Sequence, residues 1–249
     1  MDPFDYKIFY DEVGTLNGWD FSKVKVTAEG VKWDYYNEVI QRCKQSDRIL
    51  DIGTGGGETL ISIAHIASLL VGIDLSSVMI EKANENLVSS NQSNLQFIQM
   101  DADHLEFPER YFNMVSCRHS PFNAVEVAKV LVKDGLFLTQ QVSEFDKFNL
   151  TQAFGRGQHT DPDGALKNRY MNELNEAGFL DIQSFEYDAI EYYTTYEDLV
   201  FLLKHTPIIP SFGQDHHDFE ILQRFIMENE TEKGIQTNSK RFMLIAKKG

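Results

Sequence analysis

The sequence predicts an α/β protein with a doubly wound, mostly parallel sheet of seven strands. Two observations carry this prediction. Short apolar runs alternate with helix-like segments between residues 48 and 142, and a glycine-rich turn follows the first run. Strands that alternate with helices of roughly 10–15 residues are typical of βαβ units. Their right-handed crossovers place helices on both faces of the sheet.

Seven segments have the apolar character of buried strands: Arg48–Ile52, Leu69–Ile73, Leu95–Gln99, Phe112–Cys117, Gly135–Val142, Asp181–Tyr193 and Arg241–Lys247. Helices are expected over 31–44, 58–67, 76–87, 122–131 and 164–177, with 143–162 as a loop. Ser76 is the expected N-cap of the third helix, because Ser favours that position. Gly178 suits the left-handed residue that ends the last of these helices.

We interpret residues 1–249 as a single domain with three parts. Residues 1–45 are interpreted as an N-terminal arm and helix, and residues 46–195 and 236–249 as the Rossmann-like core. Residues 196–235 form an irregular helical insertion, interrupted by prolines. The arm is rich in aromatics, which disordered tails lack. We expect arm and insertion to form a lid over the ligand edge, with Tyr6, Tyr10, Trp19 and Phe21 excluding water.

The charge balance disfavours nucleic acid as a partner. The net charge is -15, and residues 181–235 carry twelve acidic but only three basic residues. Nucleic-acid binders usually present a basic patch instead. Cys43 and Cys117 are too few for a disulfide framework. The first residues show no secretory pattern, and no apolar run reaches the roughly 18 residues of a membrane span. We therefore expect a cytoplasmic protein without a membrane span.

The glycine-rich segment 51–57 has the position of a nucleotide-binding loop. It reads Asp-Ile-Gly-Thr-Gly-Gly-Gly, and it links a strand to a helix whose free N–H groups face a ligand. Glu58 stands where a dinucleotide-binding loop needs its last glycine. The carboxylates of Asp51 and Glu58 disfavour a pyrophosphate, whereas Asp51 suits an amino group. Asp74, at the end of the next strand, suits a ribose diol.

These residues resemble the motifs of the class I S-adenosylmethionine (SAM)-dependent methyltransferases, and among them the type related to ubiquinone and menaquinone biosynthesis. Leu50–Gly57 resembles the first motif and Gly72–Ser76 the acidic ribose motif. Three further segments match in order and spacing: Gln99–Leu105, Phe112–Arg118 and Val130–Leu136. The resemblance covers residues 48–142 and implies SAM as cofactor, with S-adenosylhomocysteine as its product.

The resemblance also implies a set of cofactor-binding residues. The loop residues Asp51, Gly53, Thr54, Gly55 and Gly57 would surround the methionine part. Asp74 would hold the ribose, with Leu75 and Met79 against the adenine. Asp101 would accept from the adenine amino group, and the Ala102 N–H would meet a ring nitrogen. Cys117 and Arg118 would line the methyl side.

His119 is the candidate catalytic residue. It follows the fourth strand at the sheet edge where ligands bind, and it could act as a general base. A structural histidine is the competing interpretation. Arg118 could hold an anionic substrate or pair with a carboxylate. The signature Asn/Asp-Pro-Pro-Tyr/Phe for amino-group methylation is absent here, which lowers the expectation of DNA adenine or protein glutamine methylation.

Two other clusters have ordinary structural interpretations. His216-His217-Asp218 could suggest a metal site, but adjacent helical residues do not share a face. A helix start is preferred there, and no metal is expected. Tyr192, Tyr193 and Tyr196 could approach a sulfonium by cation–π contact, although core packing is more common.

The expected function is transfer of a methyl group from SAM to a small-molecule acceptor by in-line displacement. An RNA or protein methyltransferase, a non-catalytic SAM-binding protein and an NAD-dependent oxidoreductase remain as alternatives. The acceptor itself is set by loops, and fold does not determine it.

Overall fold

The computed structural model describes residues 24–157 and 161–249. The strands are β1 (Val26–Glu29), β2 (Arg48–Ile52), β3 (Leu69–Asp74), β4 (Leu95–Gln99), β5 (Phe112–Arg118), β6 (Leu131–Val142), β7 (Phe179–Tyr193), β8 (Glu230–Thr231) and β9 (Gly234–Lys248). The helices are α1 (Tyr35–Arg42), α2 (Glu58–Ser62), α3 (Ser77–Ser90), α4 (Ala124–Val130), α5 (Phe148–Phe154), α6 (Ala165–Glu176), α7 (Tyr196–His205) and α8 (His217–Asn229). A short 3₁₀ turn, Ala64–Ile66, follows α2.

The described strands form one sheet in the order β1-β7-β9-β6-β5-β2-β3-β4, with β8 paired to β9. The five strands from β6 to β4 are parallel to their neighbours, whereas β9 runs antiparallel to β6 and β7. All seven predicted strands are present, so the predicted α/β class is confirmed. The carboxyl ends of the parallel strands lie along one edge, where ligands bind in such sheets.

Helices cover both faces of the sheet. Helices α4 and α6 pack on one face through residues such as Val127 and Leu174. Helices α1, α2 and α3 pack on the other, where Tyr35, Leu60 and Ala83 are buried. Local signals set these helices: Ser76 caps α3 by accepting from Met79 N–H at 3.3 Å, as predicted. The two faces are buried by alternate residues of each strand.

A third apolar cluster lies beyond the main sheet. The paired strands β7 and β9 continue for six residue pairs past the end of β6, which is roughly 20 Å. Helices α5, α7 and α8 pack together beside this extension, and we call the three helices the cap. Leu150, Leu203 and Leu222, one from each helix, are buried in their shared core.

The structure corrects the sequence interpretation in three places. Residues 26–29 of the expected arm form the edge strand β1, which pairs antiparallel with β7. Its four residues are all exposed, so no apolar alternation could reveal it. The expected loop 143–162 contains α5. Only Leu150 and Phe154 of this helix are buried, so its amphipathic pattern in the sequence is weak. Strand β9 begins at Gly234, before the predicted start at Arg241, because its first half pairs with β7 and its first two residues pair with β8.

The aromatic residues Tyr6, Tyr10, Trp19 and Phe21 lie outside the described residues. Within residues 24–157 and 161–249, no helix is both long and apolar enough to cross a bilayer. Gly178 adopts the expected left-handed conformation with φ +82°, directly after α6.

Candidate active site

The glycine loop is held in place by backbone geometry that only glycine tolerates well. Gly53, Gly55 and Gly57 have φ angles of +74°, +56° and +75°. Side chains would also collide at two of them. A Cβ on Gly53 would lie 2.4 Å from Ser120 Cβ, and one on Gly57 would lie 2.4 Å from the Phe97 ring. The loop therefore contacts the turn after β5 on one side and β4 on the other.

Gly55 differs from its neighbours, because a Cβ there would meet no described atom within 4 Å. Its N–H donates to Asp74 Oδ2 at 3.0 Å, and the other carboxylate oxygen accepts from Ser76 N–H at 3.0 Å. One carboxylate thus fixes both the loop and the start of α3. The open side of Gly55 is the space where a ligand can approach the backbone closely.

Asp51 is a buried carboxylate below this loop, with only 2% of its surface exposed. Ser116 Oγ donates to it at 2.5 Å. Burial raises the pKa of Asp51 to about 6, while the hydroxyls of Ser116 and Thr54 and the charge of Arg118 oppose that rise. Thr54 Oγ1 is buried near Asp51, but it makes no hydrogen bond of good geometry within the described structure. A cationic ligand group would relieve the desolvation of Asp51.

Glu58 lies at the start of α2 and is tied to α3. Asn86 Nδ2 donates to Glu58 Oε1 at 2.9 Å and to the Gly56 carbonyl at 2.8 Å. A Cβ on Gly56 would lie 2.6 Å from this carboxylate. The negative charge therefore stands directly beside the loop, as the sequence argument against a pyrophosphate assumed.

The predicted adenine-side residues occupy the adjacent strand ends. The backbone links them, because Met100 N–H donates to the Asp74 carbonyl at 3.0 Å. Leu75 is 47% exposed, whereas Met79 is 2% exposed, so Leu75 is the accessible apolar side chain of the two. Asp101 is exposed, and its Oδ1 accepts from Asp103 N–H at 2.9 Å. Ala102 is half-buried beside it.

The two residues expected on the methyl side separate onto opposite faces of β5. Cys117 is fully buried in the α4–α6 core, where its thiol donates to the Ser120 carbonyl at 3.1 Å. Burial raises the pKa of this thiol to about 12. Arg118 is exposed, with its guanidinium 5.8 Å from the centre of the Tyr36 ring. The alternation of side chains along a strand explains the separation.

His119 begins the turn after β5 in a left-handed conformation, with φ +57°. Such a conformation is uncommon outside glycine and often marks a functional turn. The residue as a whole is exposed, but desolvation of its ring by surrounding protein, together with the charges of Arg241 and Arg118, holds its pKa well below the usual value. His119 is therefore neutral at pH 7. The glycine loop is close, because the next residue, Ser120, faces Gly53.

The sequence interpretation missed the residues around His119. Gln140 Nε2 lies 3.0 Å from His119 Nε2, and Gln140 Oε1 accepts from Trp33 Nε1–H at 2.7 Å. Trp33 also packs on Tyr187, with ring centres 4.6 Å apart. Trp33 lies just before α1, Gln140 lies in β6 and Tyr187 lies in β7. No local motif joins them, so only strand register could have found them.

The other clusters are structural. Asp218 is buried and accepts two hydrogen bonds from Arg156, at 2.7 and 2.9 Å. Helix α8 starts at His217, as preferred over a metal site. The described residues contain no group of three or more His, Cys, Asp and Glu side chains placed to hold a metal. Tyr192 and Tyr193 are buried, and Tyr193 belongs to the cap core.

A surface depression of about 390 Å³ lies away from the glycine loop, beside the start of α6. Its lysines are already engaged. Lys240 pairs with Asp163, Lys167 pairs with Glu186 at 2.7 Å, and Lys32 donates to the Glu186 carbonyl at 2.9 Å. None of the residues that line this depression belongs to the glycine loop, whereas Tyr187, which packs on Trp33, also lines it.

Parts of the chain are similar in sequence to known methyltransferases. Residues 49–134 match the family model described as a methyltransferase domain. The uncharacterized methyltransferase YcgJ of Bacillus subtilis is 33% identical over 158 residues, which cover 61% of this chain and 55% of YcgJ. The ubiquinone/menaquinone biosynthesis C-methyltransferase UbiE of Francisella philomiragia is 26% identical over 92 residues, covering 35% and 37% of the two chains. The matches thus span about half or less of these relatives.

Solved structures show the same fold. The YcgJ crystal structure superposes with a TM-score of 0.59 and 19% identity, covering 85% of this chain and 97% of that one. Phosphoethanolamine N-methyltransferase 2 of Haemonchus contortus, solved with S-adenosylhomocysteine, gives 0.56 and 16%, covering 100% and 61%. The described residues thus have the Rossmann-like fold of these methyltransferase structures. Over residues 49–134 the chain is thus similar to methyltransferase domains, in the region that carries the glycine loop.

Proposed function

We propose that this protein transfers a methyl group from SAM to a small-molecule acceptor by in-line displacement. The observation that carries the proposal is the open side of Gly55 next to Asp74, beneath which Asp51 is buried. The three features lie along one path over the ends of β2 and β3. They match a ligand that has an ammonium group at one end and a ribose diol at the other.

The residues present fit SAM part by part. We propose that Asp51 holds the ammonium group, because a buried carboxylate with a raised pKa gains most from a nearby cation. Asp74 would accept from the ribose hydroxyls, since a carboxylate oxygen can accept more than one hydrogen bond. Leu75 and Asp101 are exposed at the adjacent edge, where adenine would lie between an apolar surface and an acceptor.

When bound, SAM supplies a methyl carbon on a sulfonium, which an acceptor lone pair attacks as the carbon–sulfur bond breaks and its electrons remain on sulfur. The chain's contribution is to align the two partners and exclude water. Holding reactants in a near-attack geometry lowers such a barrier by about 7–11 kcal/mol at best. Covering the site is the role we propose for the cap and the N-terminal arm.

The arm is tested by deleting residues 1–23. Deletion to residue 30 would also remove β1, which pairs with β7, and the bond from Lys25 N–H to Asp198 Oδ1 at 2.9 Å. The shorter deletion keeps the described fold. We expect it to abolish methyl transfer while the unfolding transition stays unchanged. Full activity of the truncated protein would show that the arm is not part of the lid.

The acceptor class is tested with methyl-labelled SAM and a cell extract separated into small molecules and macromolecules. We expect label in the small-molecule fraction, and none with Gly55→Ala protein. The acidic balance of the chain, with a net charge of -15, supports this expectation. Label in RNA or protein would replace the proposal with its macromolecular alternative. Binding of SAM without any transfer would support a non-catalytic protein.

A further inference from the structure

A row of polar side chains crosses the sheet beside the glycine loop. Arg118 of β5 pairs with Gln140 of β6, and Arg241 of β9 pairs with Val142 of β6. Because strand side chains alternate, Arg118, Gln140 and Arg241 point to the same face of the sheet. This is also the face of Asp51 and Ser116. We call Arg118, Gln140 and Arg241 the polar band.

Hydrogen bonds at this band determine which ring nitrogen of His119 carries the proton. The indole N–H of Trp33 can only donate, so the Gln140 atom that it contacts at 2.7 Å must be the carbonyl oxygen. The amide nitrogen of Gln140 then donates to His119 Nε2 at 3.0 Å. A ring nitrogen that accepts a hydrogen bond carries no proton. The proton of neutral His119 therefore resides on Nδ1.

This tautomer changes the role open to His119. The lone pair of Nε2 is engaged by Gln140, and Nδ1 carries a hydrogen. As arranged, the ring offers a donor to a ligand and no free lone pair. A general base needs a free nitrogen lone pair that can accept a proton from the substrate. His119 thus acts as a hydrogen-bond donor at this site.

The charges around His119 are also unequal. Arg241 pairs with Asp146, and the neighbouring Lys147 pairs with Glu191 at 2.6 Å. These two cations are balanced. Arg118 makes no ion pair with any described carboxylate, although its charge acts on both Asp51 and His119. The site between the glycine loop and the polar band therefore holds one guanidinium without an ion-pair partner among the described residues, beside an N–H donor.

We propose that the methyl acceptor is a small molecule with an anionic oxygen group, a carboxylate or a phosphate, held by Arg118 and by the Nδ1–H of His119. The inference rests on the proposed methyltransferase function. Guanidinium groups bind carboxylate and phosphate oxygens in a planar, charge-assisted geometry. SAM brings a sulfonium to the same site, which adds to the preference for an anion. Gln140 is then a positioning residue that sets the tautomer of His119.

The test uses protein saturated with S-adenosylhomocysteine and three aromatic probes: benzoate, phenyl phosphate and the neutral benzamide. By calorimetry we expect at least one anion to bind about tenfold or more tightly than benzamide, and the tighter anion identifies the group. Arg118→Gln should lower the affinity for that anion by about tenfold. Arg169→Gln removes the same charge from an exposed pair on α6 and should change nothing.

Three results would overturn the inference. Equal binding of benzamide and both anions would remove the charge preference. An Arg118→Gln variant that loses S-adenosylhomocysteine affinity but not anion affinity would assign Arg118 to the cofactor's own carboxylate. ¹⁵N resonances of the His119 ring showing the Nε2–H tautomer would contradict the hydrogen-bond order. Failure of the wild type to bind S-adenosylhomocysteine would instead contradict the proposed function, so the two failures are distinguishable.

Discussion

The two halves of the ligand edge are built in different ways. On the half proposed to bind the cofactor, here the cofactor half, short turns after β2 and β3 are joined by bonds such as Gly55 N–H to Asp74 Oδ2. On the half proposed to bind the acceptor, here the acceptor half, Trp33 donates to Gln140, which is 107 residues away in the chain. The cofactor half depends on local loop geometry and the acceptor half on long-range strand register. The difference suggests that mutations in each half should separate cofactor binding from other properties.

The largest expected effect is at Gly55. Gly55→Ala places a methyl group in the space proposed for the cofactor, and it also forces alanine to φ +56°. Overpacking and left-handed strain together predict a loss of about 100-fold in S-adenosylhomocysteine affinity. Calorimetric titration of wild type and variant with S-adenosylhomocysteine measures this loss of affinity.

Gly155→Ala is the matched control for Gly55→Ala. Gly155 has a similar φ of +61° and also no described atom within 4 Å of a built Cβ, but it follows α5 in the cap. Both variants should lose about 1 kcal/mol of unfolding free energy. Only Gly55→Ala should lose cofactor affinity. Equal loss in both would mean that strain, and not occupation of the cofactor space, explains the effect.

Asp74→Ala should weaken S-adenosylhomocysteine binding by about 1–3 kcal/mol, because it removes the proposed ribose acceptor and the anchor of the Gly55 N–H. Asp134→Ala, which removes an exposed carboxylate paired with Lys247, is the control. Thermal unfolding separates a binding effect from a folding effect. Unchanged affinity in the Asp74 variant would show that Asp74 is not the ribose ligand.

Arg156→Leu should act on the cap alone. It leaves the Asp218 carboxylate buried without its cation, and we expect a loss of about 2 kcal/mol in unfolding free energy, discounted because Arg156 is partly exposed. Arg169→Leu breaks the exposed pair with Glu173 and should cost well under about 1 kcal/mol. Urea titrations compare the two. A changed S-adenosylhomocysteine affinity in Arg156→Leu would show that the cap contributes to cofactor binding.

The smallest expected effect is a gain of stability at Asp51. Its folded pKa of about 6 lies above the ordinary value, so the folded state holds more protons and stability falls as pH rises from roughly 4 to 6. Asn does not ionise, so the Asp51→Asn variant does not lose stability in this way as the pH rises. We expect about 1–2 kcal/mol more unfolding free energy than wild type at pH 7 and no gain at pH 4.

The same variant should bind S-adenosylhomocysteine less well, because the ammonium group loses its carboxylate partner. Urea titrations at the two pH values and calorimetry at pH 7 measure the two effects. An Asp51→Asn protein that is less stable at pH 7 would show that the carboxylate has a structural role instead.

The geometry of the glycine loop and the start of α3 could be predicted from the sequence because their signals are local. The glycine spacing, Asp74 and the Ser76 cap are read within a few residues, and the structure brings the loop, Asp74 and Asp101 to one edge. The resemblance over residues 48–142 overlaps the matched family region. The residue roles at this edge stay predictions until a ligand is bound.

The acceptor half was less accessible to sequence reasoning. Gln140 and Tyr187 have no local motif, and their proximity follows from the register of β6, β9 and β7. Cys117 lies on the face of β5 that packs against α4 and α6, which depends on how the strand is oriented in the sheet. Its predicted contact with the cofactor stays a prediction. Helix α5 was missed because its stabilisation comes from packing in the cap core and not from its own short sequence.

The central claim is that the glycine loop binds SAM and not a pyrophosphate cofactor. Calorimetric titration of the wild-type protein with S-adenosylhomocysteine and, separately, with NAD tests it most directly. We predict saturable one-to-one binding of S-adenosylhomocysteine, lost in Gly55→Ala, and no binding of NAD. Tight binding of NAD without binding of S-adenosylhomocysteine would contradict the account.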